Sequence, residues 1–157
     1  MTAANNTAQN SFIVVQVGGR KLALRADVVT ELSAPVRLHS FPHTSRAVLG
    51  VIIRRGRIIP VYDVAPLLAG RSFLTQRFYL VARRHIGQAS EFGALPVSGE
   101  CELVTGEMQP PAGDAPGYIC GMLPVGEQSL DVVDFDALVT SQESADDAAA
   151  SSMEAPS

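Results

Sequence analysis

The sequence contains a cluster of three arginines, Arg54, Arg55 and Arg57, around Gly56. Runs of β-branched residues flank the group on both sides, which predicts that it forms the turn of a β-hairpin. A guanidinium group binds a carboxylate through two parallel hydrogen bonds, and it also contacts backbone carbonyls and phosphates. The chemistry open to this turn is therefore an intermolecular contact, an internal salt bridge or a phosphate contact.

The other reactive side chains form no catalytic or metal-binding pattern. His39, His43 and His85 have neither the H-x-x-x-H spacing nor the neighbouring cysteine pair of a zinc site. Cys101 and Cys120 are too few for a disulfide framework and are not in a C-x-x-C pair, so we expect two reduced, mostly buried thiols. The sequence thus predicts no metal, no cofactor and no enzymatic activity.

Two sequence features bear on anion binding. The segment Gly18-Gly19-Arg20-Lys21 lacks the G-x-x-x-x-G-K-[ST] spacing and leads into a strand rather than a helix, so it is not a phosphate loop. The arginine turn can contact nucleic acid, where aromatic residues would stack on the bases. Only nine aromatic residues are present (six Phe and three Tyr), and the net charge is −4, so nucleic-acid binding is kept only as an alternative.

The charge is divided unevenly along the 157 residues. Residues 1–84 contain all 12 basic residues and three acids, which gives +9, and residues 85–157 contain 13 acids, which gives −13. This asymmetry suggests a dipolar surface, unless the two halves interleave in space and neutralise each other. The apolar fraction of 46% is enough for one domain, or for two small ones that share a core.

The pattern of elements is that of a β protein. Phe12–Leu24 is predicted to form a hairpin with a Gly18-Gly19 turn, and its cross-strand pairs place four apolar residues on one buried face. These are Ile13, Val15, Leu22 and Leu24. A short helix over Val28–Leu32 follows, with Asp27 as its N-cap. A second hairpin spans Val48–Val64, where Pro60 is expected at a strand edge or a bulge.

Further strands are expected at 78–82, 92–97, 118–123 and 129–133, with a polar connection at 83–91 and a short terminal helix at 135–139. About eight or nine short strands favour small closed or partly open barrels, an all-β fold with short helices. No internal repeat is visible. Residues 1–11 and the Ala, Ser and acid-rich residues 141–157 are expected to be disordered tails around a folded domain at 12–140.

The sequence predicts neither a membrane-spanning segment nor a signal peptide. The longest uninterrupted apolar stretch, Ala47–Ile53, is much shorter than the roughly 20 residues that cross a bilayer. Met1–Ser11 is polar, so a cleaved signal peptide is not expected. The predicted location is the cytoplasm.

The second hairpin resembles the signature of the CheW-like chemotaxis coupling proteins, roughly G-V-x-N-L-R-G-x-I-x-P-x-x-D-L. The matching positions are Gly50, Val51, Arg55, Gly56, Ile58, Pro60 and Asp63. Weaker matches are Val29–Leu32 to an early helix, Phe41-Pro42, Tyr118–Gly121 and Leu130–Leu138, so the resemblance extends over about residues 12–139. Ile53 and Arg54 depart from the signature, because they replace its Asn and Leu.

The resemblance implies two packed, five-stranded SH3-like β-barrels with a hydrophobic groove between them. It also implies a non-enzymatic adaptor that links the cytoplasmic tips of chemoreceptors to the regulatory domain of a CheA-type histidine kinase, for chemotaxis or surface motility. Such a protein is cytoplasmic, joins receptor arrays through its partners without inserting in the membrane, and can alternate with other CheW-like domains in rings. The alternative is an SH3-like binding module for nucleic acid or an unrelated protein.

The resemblance also suggests roles for individual residues. The receptor or kinase interface is expected to include Arg55, Glu31, Val29, Leu32, Arg54 and Arg57, and the structural motif Gly50, Gly56, Pro60 and Asp63. Alternatives remain open for the first group. Arg55 can instead form an internal salt bridge with Asp63 or Glu31, Glu31 can lie on a solvated helix face, and Val29 and Leu32 can belong to the core rather than to an exposed groove.

Overall fold

The computed structural model describes residues 10–40, 47–64, 67–68, 78–86, 88–98 and 101–154. These residues form ten strands and a C-terminal helix. In chain order they are β1 Ser11–Val17, β2 Arg20–Arg25, β3 Val29–Ser33, β4 Val48–Arg54, β5 Arg57–Tyr62, β6 Phe78–Ile86, β7 Ala89–Val97, β8 Glu102–Thr105, β9 Ile119–Val125, β10 Gln128–Val133 and helix α1 Phe135–Glu154.

The strands form two five-stranded sheets with the same topology. Barrel A has the order β8-β1-β2-β10-β9, and barrel B has the order β3-β6-β7-β5-β4. Every pairing in one sheet has its counterpart in the other, including a single parallel contact, Val132–Ala23 in barrel A and Val61–Ala94 in barrel B. The chain therefore contains an internal structural repeat, circularly permuted so that the N-terminal hairpin β1-β2 completes the C-terminal barrel. This repeat was not predicted from the sequence.

In each sheet, the segment that follows the edge strand β3 or β8 pairs with the opposite edge strand and partly closes the barrel. After β3, His39 exchanges two backbone hydrogen bonds with Val51 of β4, at 2.8 and 2.9 Å. After β8, Gln109 makes the equivalent pair with Met122 of β9, also at 2.8 and 2.9 Å. These contacts pair the otherwise open edges β4 and β9, as expected for small SH3-like barrels.

A glycine at each closure gives the backbones room to approach. Gly50 precedes Val51, and a Cβ atom placed on it would lie 2.6 Å from the carbonyl oxygen of His39. Gly121 precedes Met122, and its Cβ would lie 2.8 Å from the carbonyl oxygen of Gln109. Both distances are shorter than carbon and oxygen tolerate without a shift of the backbone, so the two glycines are needed for the same reason.

The buried apolar residues of the described ranges form three clusters. One lies inside barrel A around Phe12, Val14 and Leu123, and one lies inside barrel B around Ile52, Ile59 and Val81. The third and largest joins the two barrels, since alternate residues of β1, β2, β6 and β7 point away from their own barrel interiors. The barrels are thus held to each other by a continuous core that also includes the first turns of α1.

The two hairpins were predicted correctly. In β1-β2, Ile13 is opposite Leu24 and Val15 is opposite Leu22. Val15, Leu22 and Leu24 are fully buried in the core between the barrels, and Ile13 packs against it. Gly18 and Gly19 have φ angles of 60° and 85°, as the two-residue turn requires. The expected all-β fold of two SH3-like, five-stranded sheets is confirmed.

The predicted helix over Val28–Leu32 is wrong, because Val29–Ser33 is strand β3 and pairs with β6. The chain turns before it, where Val28 N–H donates to the carbonyl of Arg25 at 3.2 Å. Pairing with β6 therefore overrides the local helix signal. The β-branched residues Val29 and Thr30 also favour a strand over a helix. Strand β8 was not predicted. Phe41-Pro42 lies outside the described residues.

The C-terminal helix is longer than the sequence suggested. It begins after Asp134, whose carboxylate accepts the N–H of Ala137 at 3.2 Å, as predicted for an N-cap. It continues to Glu154 rather than ending at Val139, so the expectation of a disordered tail from residue 141 is wrong up to Glu154. The stretch contains several alanines and no Gly or Pro, which favours helix despite its polarity.

The structure interleaves the basic and acidic halves of the sequence. The basic hairpin β1-β2 lies between β8 and β10 of the acidic half, and Arg20 of β2 forms an ion pair with Asp131 of β10. Among the two readings of the charge distribution, interleaving therefore describes the packing of barrel A. Barrel B keeps a local concentration of positive charge.

Candidate functional site

The arginines of the second hairpin lie at one open end of barrel B. Side chains alternate along each strand, so Arg54 and Arg57 share a face with Ile52 and Ile59, which fill the barrel interior. They surround a pocket of about 300 Å³, which we call mouth B. Its floor is Ile59 and Val81, and its rim is Thr30, Glu31, Arg54, Arg55, Arg57, Arg83 and Phe92.

Arg55 lies at the tip of the β4-β5 hairpin. Arg55 and Gly56 form the two-residue turn with φ angles of 52° and 77°. This left-handed conformation is normally taken by Gly, Asn or Asp at such a turn, and it costs another residue about 1 kcal/mol. Arg55 is exposed and has no ion-pair partner in the described part of the chain. The strained backbone places its guanidinium in solvent at the rim of mouth B.

Glu31 is held by Arg54 across the gap between β3 and β4. The guanidinium donates two hydrogen bonds, from Nη2 to Oε2 at 3.0 Å and from Nε to Oε1 at 3.3 Å. The internal salt bridge that the sequence suggested for Arg55 is thus made by its neighbour, because Arg54 still belongs to the strand and faces the barrel end. These hydrogen bonds, with the nearby charges of Arg54 and Arg55, lower the pKa of Glu31 although partial burial opposes the shift.

This pair predicts a pH dependence of stability. The Glu31 carboxylate has a lower pKa in the folded chain than its ordinary value of 4.5, so its contribution is fully present above pH 4.5 and is lost as the pH falls through the folded pKa. We expect Glu31→Gln to be less stable than the wild type at neutral pH, and the difference to shrink below pH 4.5. Urea denaturation midpoints measured across this range check it. A difference that stays constant with pH would contradict it.

Mouth B carries a net positive charge. Arg57 lies over the Phe92 ring, with its guanidinium carbon 4.7 Å from the ring centroid, which holds the group against the barrel wall. Arg83 of β6 completes the rim and is exposed. Four arginines and one glutamate give the rim a formal charge of +3. Among the described residues only Arg54 of these four has an acidic partner, so three guanidinium groups are available for another anion.

The expected interface residues divide into two groups. Arg54, Arg55, Arg57 and Glu31 meet at mouth B. Val29 and Leu32 lie elsewhere on β3: Val29 packs against the core between the barrels, and Leu32, opposite Leu80, is 40% exposed. Glu31 lies on a strand and not on the expected helix face.

The expected structural motif residues lie along the same hairpin. Gly50 is at the closure and Gly56 in the turn. Asp63 follows β5, where its N–H donates to the carbonyl of Ala47 at 2.7 Å. Pro60 lies in β5, opposite Val51. Pro60 is not on an edge strand, because β5 lies between β4 and β7, and the register shift of the β4-β5 pairing lies between Val48 and Gly50 rather than at Pro60, so the prediction of an edge or a bulge is wrong. β5 pairs with β7 through the single residue pair Val61 and Ala94, so the missing N–H of Pro60 is tolerated.

Sequence reasoning missed Arg83 and Phe92. Residues 83–91 were taken as a polar connection, whereas β6 and β7 continue through most of them as a long hairpin. Side chains alternate along β6, so Tyr79, Val81 and Arg83 lie on one face. Tyr79 and Val81 fill the interior of barrel B, and this alternation could have indicated that Arg83 continues the same face into the rim.

The neighbouring Arg84 has a different environment on the other face of β6. Its side chain is 8% exposed and joins the sheet to α1. The guanidinium donates to Asp136 at 3.0 Å, to the Tyr62 hydroxyl at 3.2 Å and to Thr140 at 3.4 Å. It also lies 3.2 Å from a carboxylate oxygen of Glu143. Burial raises the pKa of Tyr62, so its hydroxyl stays protonated while it accepts this hydrogen bond.

No group of three or more metal-ligating side chains occurs among the residues that the structure describes. Cys101 and Cys120 are free thiols, and burial raises the pKa of both above the usual range, which reduces the reactive thiolate fraction. Within the described ranges, no helix combines the length and the apolar character needed to span a bilayer.

The chain was compared with protein-family models, with solved structures and with curated proteins. The family model for the CheW-like domain matches residues 11–143. The crystal structure of the scaffolding protein TtCheW from Thermoanaerobacter tengcongensis superposes with a TM-score of 0.70 and 19% sequence identity, over 83% of this chain and 92% of that one. At this identity the structural match shows a common fold. A search of curated proteins finds no match.

Proposed function

Because this chain belongs to the CheW-like domain family, we propose that it is a non-catalytic coupling protein that links the cytoplasmic tips of chemoreceptors to the regulatory domain of a CheA-type histidine kinase. The observation that supports the proposal is the family match, which covers both barrels from β1 to the third turn of α1. The output is chemotaxis or surface motility. The protein acts in the cytoplasm and joins receptor arrays, in rings with other CheW-like domains, without inserting in the membrane.

The proposed mechanism is geometric. The two barrels share one continuous apolar core, so they move as one body and hold two partners at fixed relative positions. A small displacement of the receptor tip then biases the kinase between its active and inactive states. Each contact can be weak, because repeated contacts in an array raise the effective concentration of the next partner.

The proposed interface is the β3 edge of barrel B together with mouth B. Arg55, Arg54, Arg57 and Glu31 provide the polar contacts. Leu32, with its 40% exposure, provides an apolar contact beside the partly buried Val29. An exposed guanidinium next to apolar surface suits a helical partner that presents both carboxylates and aliphatic side chains.

An SH3-like binding module outside chemosensory signalling is the second candidate, and the positive charge of mouth B supports it. If the natural ligand is nucleic acid, retention on a DNA or RNA column should fall steeply as salt rises. Retention of that kind, together with no binding of receptor or kinase, would favour this candidate.

The proposal predicts that Arg55→Glu weakens binding of a receptor signalling tip by roughly tenfold or more, since a charge-assisted contact is replaced by repulsion. Surface plasmon resonance with immobilised receptor tip measures it. Arg37→Glu is the matched control, because Arg37 is exposed on the same barrel and outside mouth B. Equal binding by both variants would contradict the proposed interface. Loss of the circular dichroism spectrum in Arg55→Glu would instead assign Arg55 a structural role.

A further inference from the structure

Barrel A has a second pocket at the position that corresponds to mouth B. It has a volume of about 400 Å³, and we call it mouth A. The parallel contacts Val132–Ala23 and Val61–Ala94 fix the correspondence between the barrels. Counting from them along the paired strands matches Val14 with Val81, Gln16 with Arg83, Lys21 with Phe92, Cys101 with Thr30 and Glu102 with Glu31.

The two mouths share their architecture but differ in charge. Mouth A contains one lysine and one glutamate, Lys21 and Glu102. The same counting places Val125 and Gln128 of the β9-β10 hairpin where mouth B has Arg54 and Arg57. Barrel A therefore closes without any of these arginines. Arg54 stabilises barrel B through Glu31, but Arg55, Arg57 and Arg83 have no acidic partner among the described residues, so their concentration in barrel B needs an explanation outside the stability of the barrel.

We propose that mouth B binds an acidic segment of a protein partner, with a side-chain carboxylate entering between Arg55, Arg57 and Arg83 above the apolar floor. This inference rests on the proposed function, because it names the chemistry of a partner at the same site. A planar guanidinium binds a carboxylate in a bidentate manner, and three arginines without an acidic partner in the described ranges line the pocket. Arg57 is already oriented by Phe92 at 4.7 Å, so less side-chain entropy is lost on binding.

The surroundings of mouth B favour an acidic protein segment over a nucleic acid. Glu31 lies in the rim and would repel a continuous row of phosphate charges more strongly than a single carboxylate. Next to the arginine pair, the cross-strand partners Ile53 and Ile58 are 53% and 72% exposed on the outer face of the hairpin. Apolar side chains that flank an acidic residue can pack on these isoleucines. The ligand is therefore a segment in which acidic and aliphatic residues are neighbours.

The test is fluorescence anisotropy of the full chain with a labelled short peptide of interspersed Glu and Leu. The controls are the same peptide with Gln in place of Glu and a single-stranded DNA oligonucleotide of equal charge. The double variant Arg57→Gln/Arg83→Gln should bind the Glu peptide roughly tenfold or more weakly, and the binding should weaken with salt. Lys21→Gln in mouth A is the matched control and should change the affinity less than about twofold. If the double variant unfolds, Arg83→Gln alone, at an exposed position, provides the comparison.

Three results would overturn the inference: equal binding of the Gln peptide, an equal loss in Lys21→Gln, or tighter binding of the oligonucleotide with the same arginine dependence. Its failure can be told apart from failure of the proposed function. If a receptor signalling tip and a CheA-type regulatory domain both bind the wild type and the double variant equally, the coupling function stays in place and the role of mouth B is refuted. Binding of the Glu peptide at mouth B without binding of any receptor or kinase would support mouth B and refute the coupling function.

Discussion

Replacing Arg84 by methionine is expected to lower the free energy of unfolding by about 3 kcal/mol. The side chain is 8% exposed; its hydrogen bonds to Asp136 and Thr140 join β6 to α1, and its hydrogen bond to Tyr62 joins β6 to the end of β5. Methionine retains most of the apolar packing but none of the donors, so the Tyr62 hydroxyl and the two carboxylates of α1 lose their shared partner. Chemical denaturation monitored by circular dichroism measures the loss.

Arg83→Met is the matched control for this variant. Arg83 is the preceding residue of the same strand, but it is exposed at the rim of mouth B. We expect its effect on the free energy of unfolding to stay within about 0.5 kcal/mol. Equal stability of the Arg84 and Arg83 variants would show that the buried network contributes nothing to the attachment of α1.

Gly50→Ala is expected to destabilise the chain by about 3 kcal/mol through the closure of barrel B. The new methyl group would lie 2.6 Å from the carbonyl oxygen of His39, which also accepts the N–H of Val51 at 2.9 Å. The backbone segments must separate, which breaks this hydrogen bond and its reciprocal partner. Thermal unfolding followed by circular dichroism measures the effect.

Gly113→Ala is the control for the glycine variant, because nothing lies within 4 Å of the position that its Cβ would take. It should leave the stability nearly unchanged, since no contact and no hydrogen bond is altered. The structural repeat adds a second comparison: Gly121→Ala should destabilise the chain as Gly50→Ala does, because its Cβ would approach the carbonyl oxygen of Gln109. Wild-type stability of Gly50→Ala would contradict the account of closure.

Hairpins with glycine turns were predictable because their information is local. The Gly18-Gly19 turn fixes the register of β1-β2, so the inward face followed from counting outward along the two strands. Strand β3 was not predictable in the same way. Its five residues also suit a short helix, and its identity is settled by pairing with β6, which lies far along the chain. The internal repeat was hidden because the barrels are circularly permuted, so equivalent strands do not follow one another in the same order along the sequence.

The candidate site was predictable in part. The residues of the arginine turn stand together in the sequence, and Glu31 was correctly placed among their possible partners. Arg83 and Phe92 join them only because β6 and β7 extend further than their polar sequence suggested. Which arginine pairs with Glu31 also depends on three-dimensional structure: Arg54 ends the strand and faces the mouth, whereas Arg55 takes the left-handed turn position and points to solvent.

The proposed coupling role can be tested by isothermal titration calorimetry of the full chain with the regulatory domain of a CheA-type kinase from the same organism, at two salt concentrations. We expect saturable one-to-one binding that weakens at the higher salt, because exposed arginines contribute to the contact. Absence of detectable binding at high micromolar concentration, with every such kinase of that organism, would contradict it.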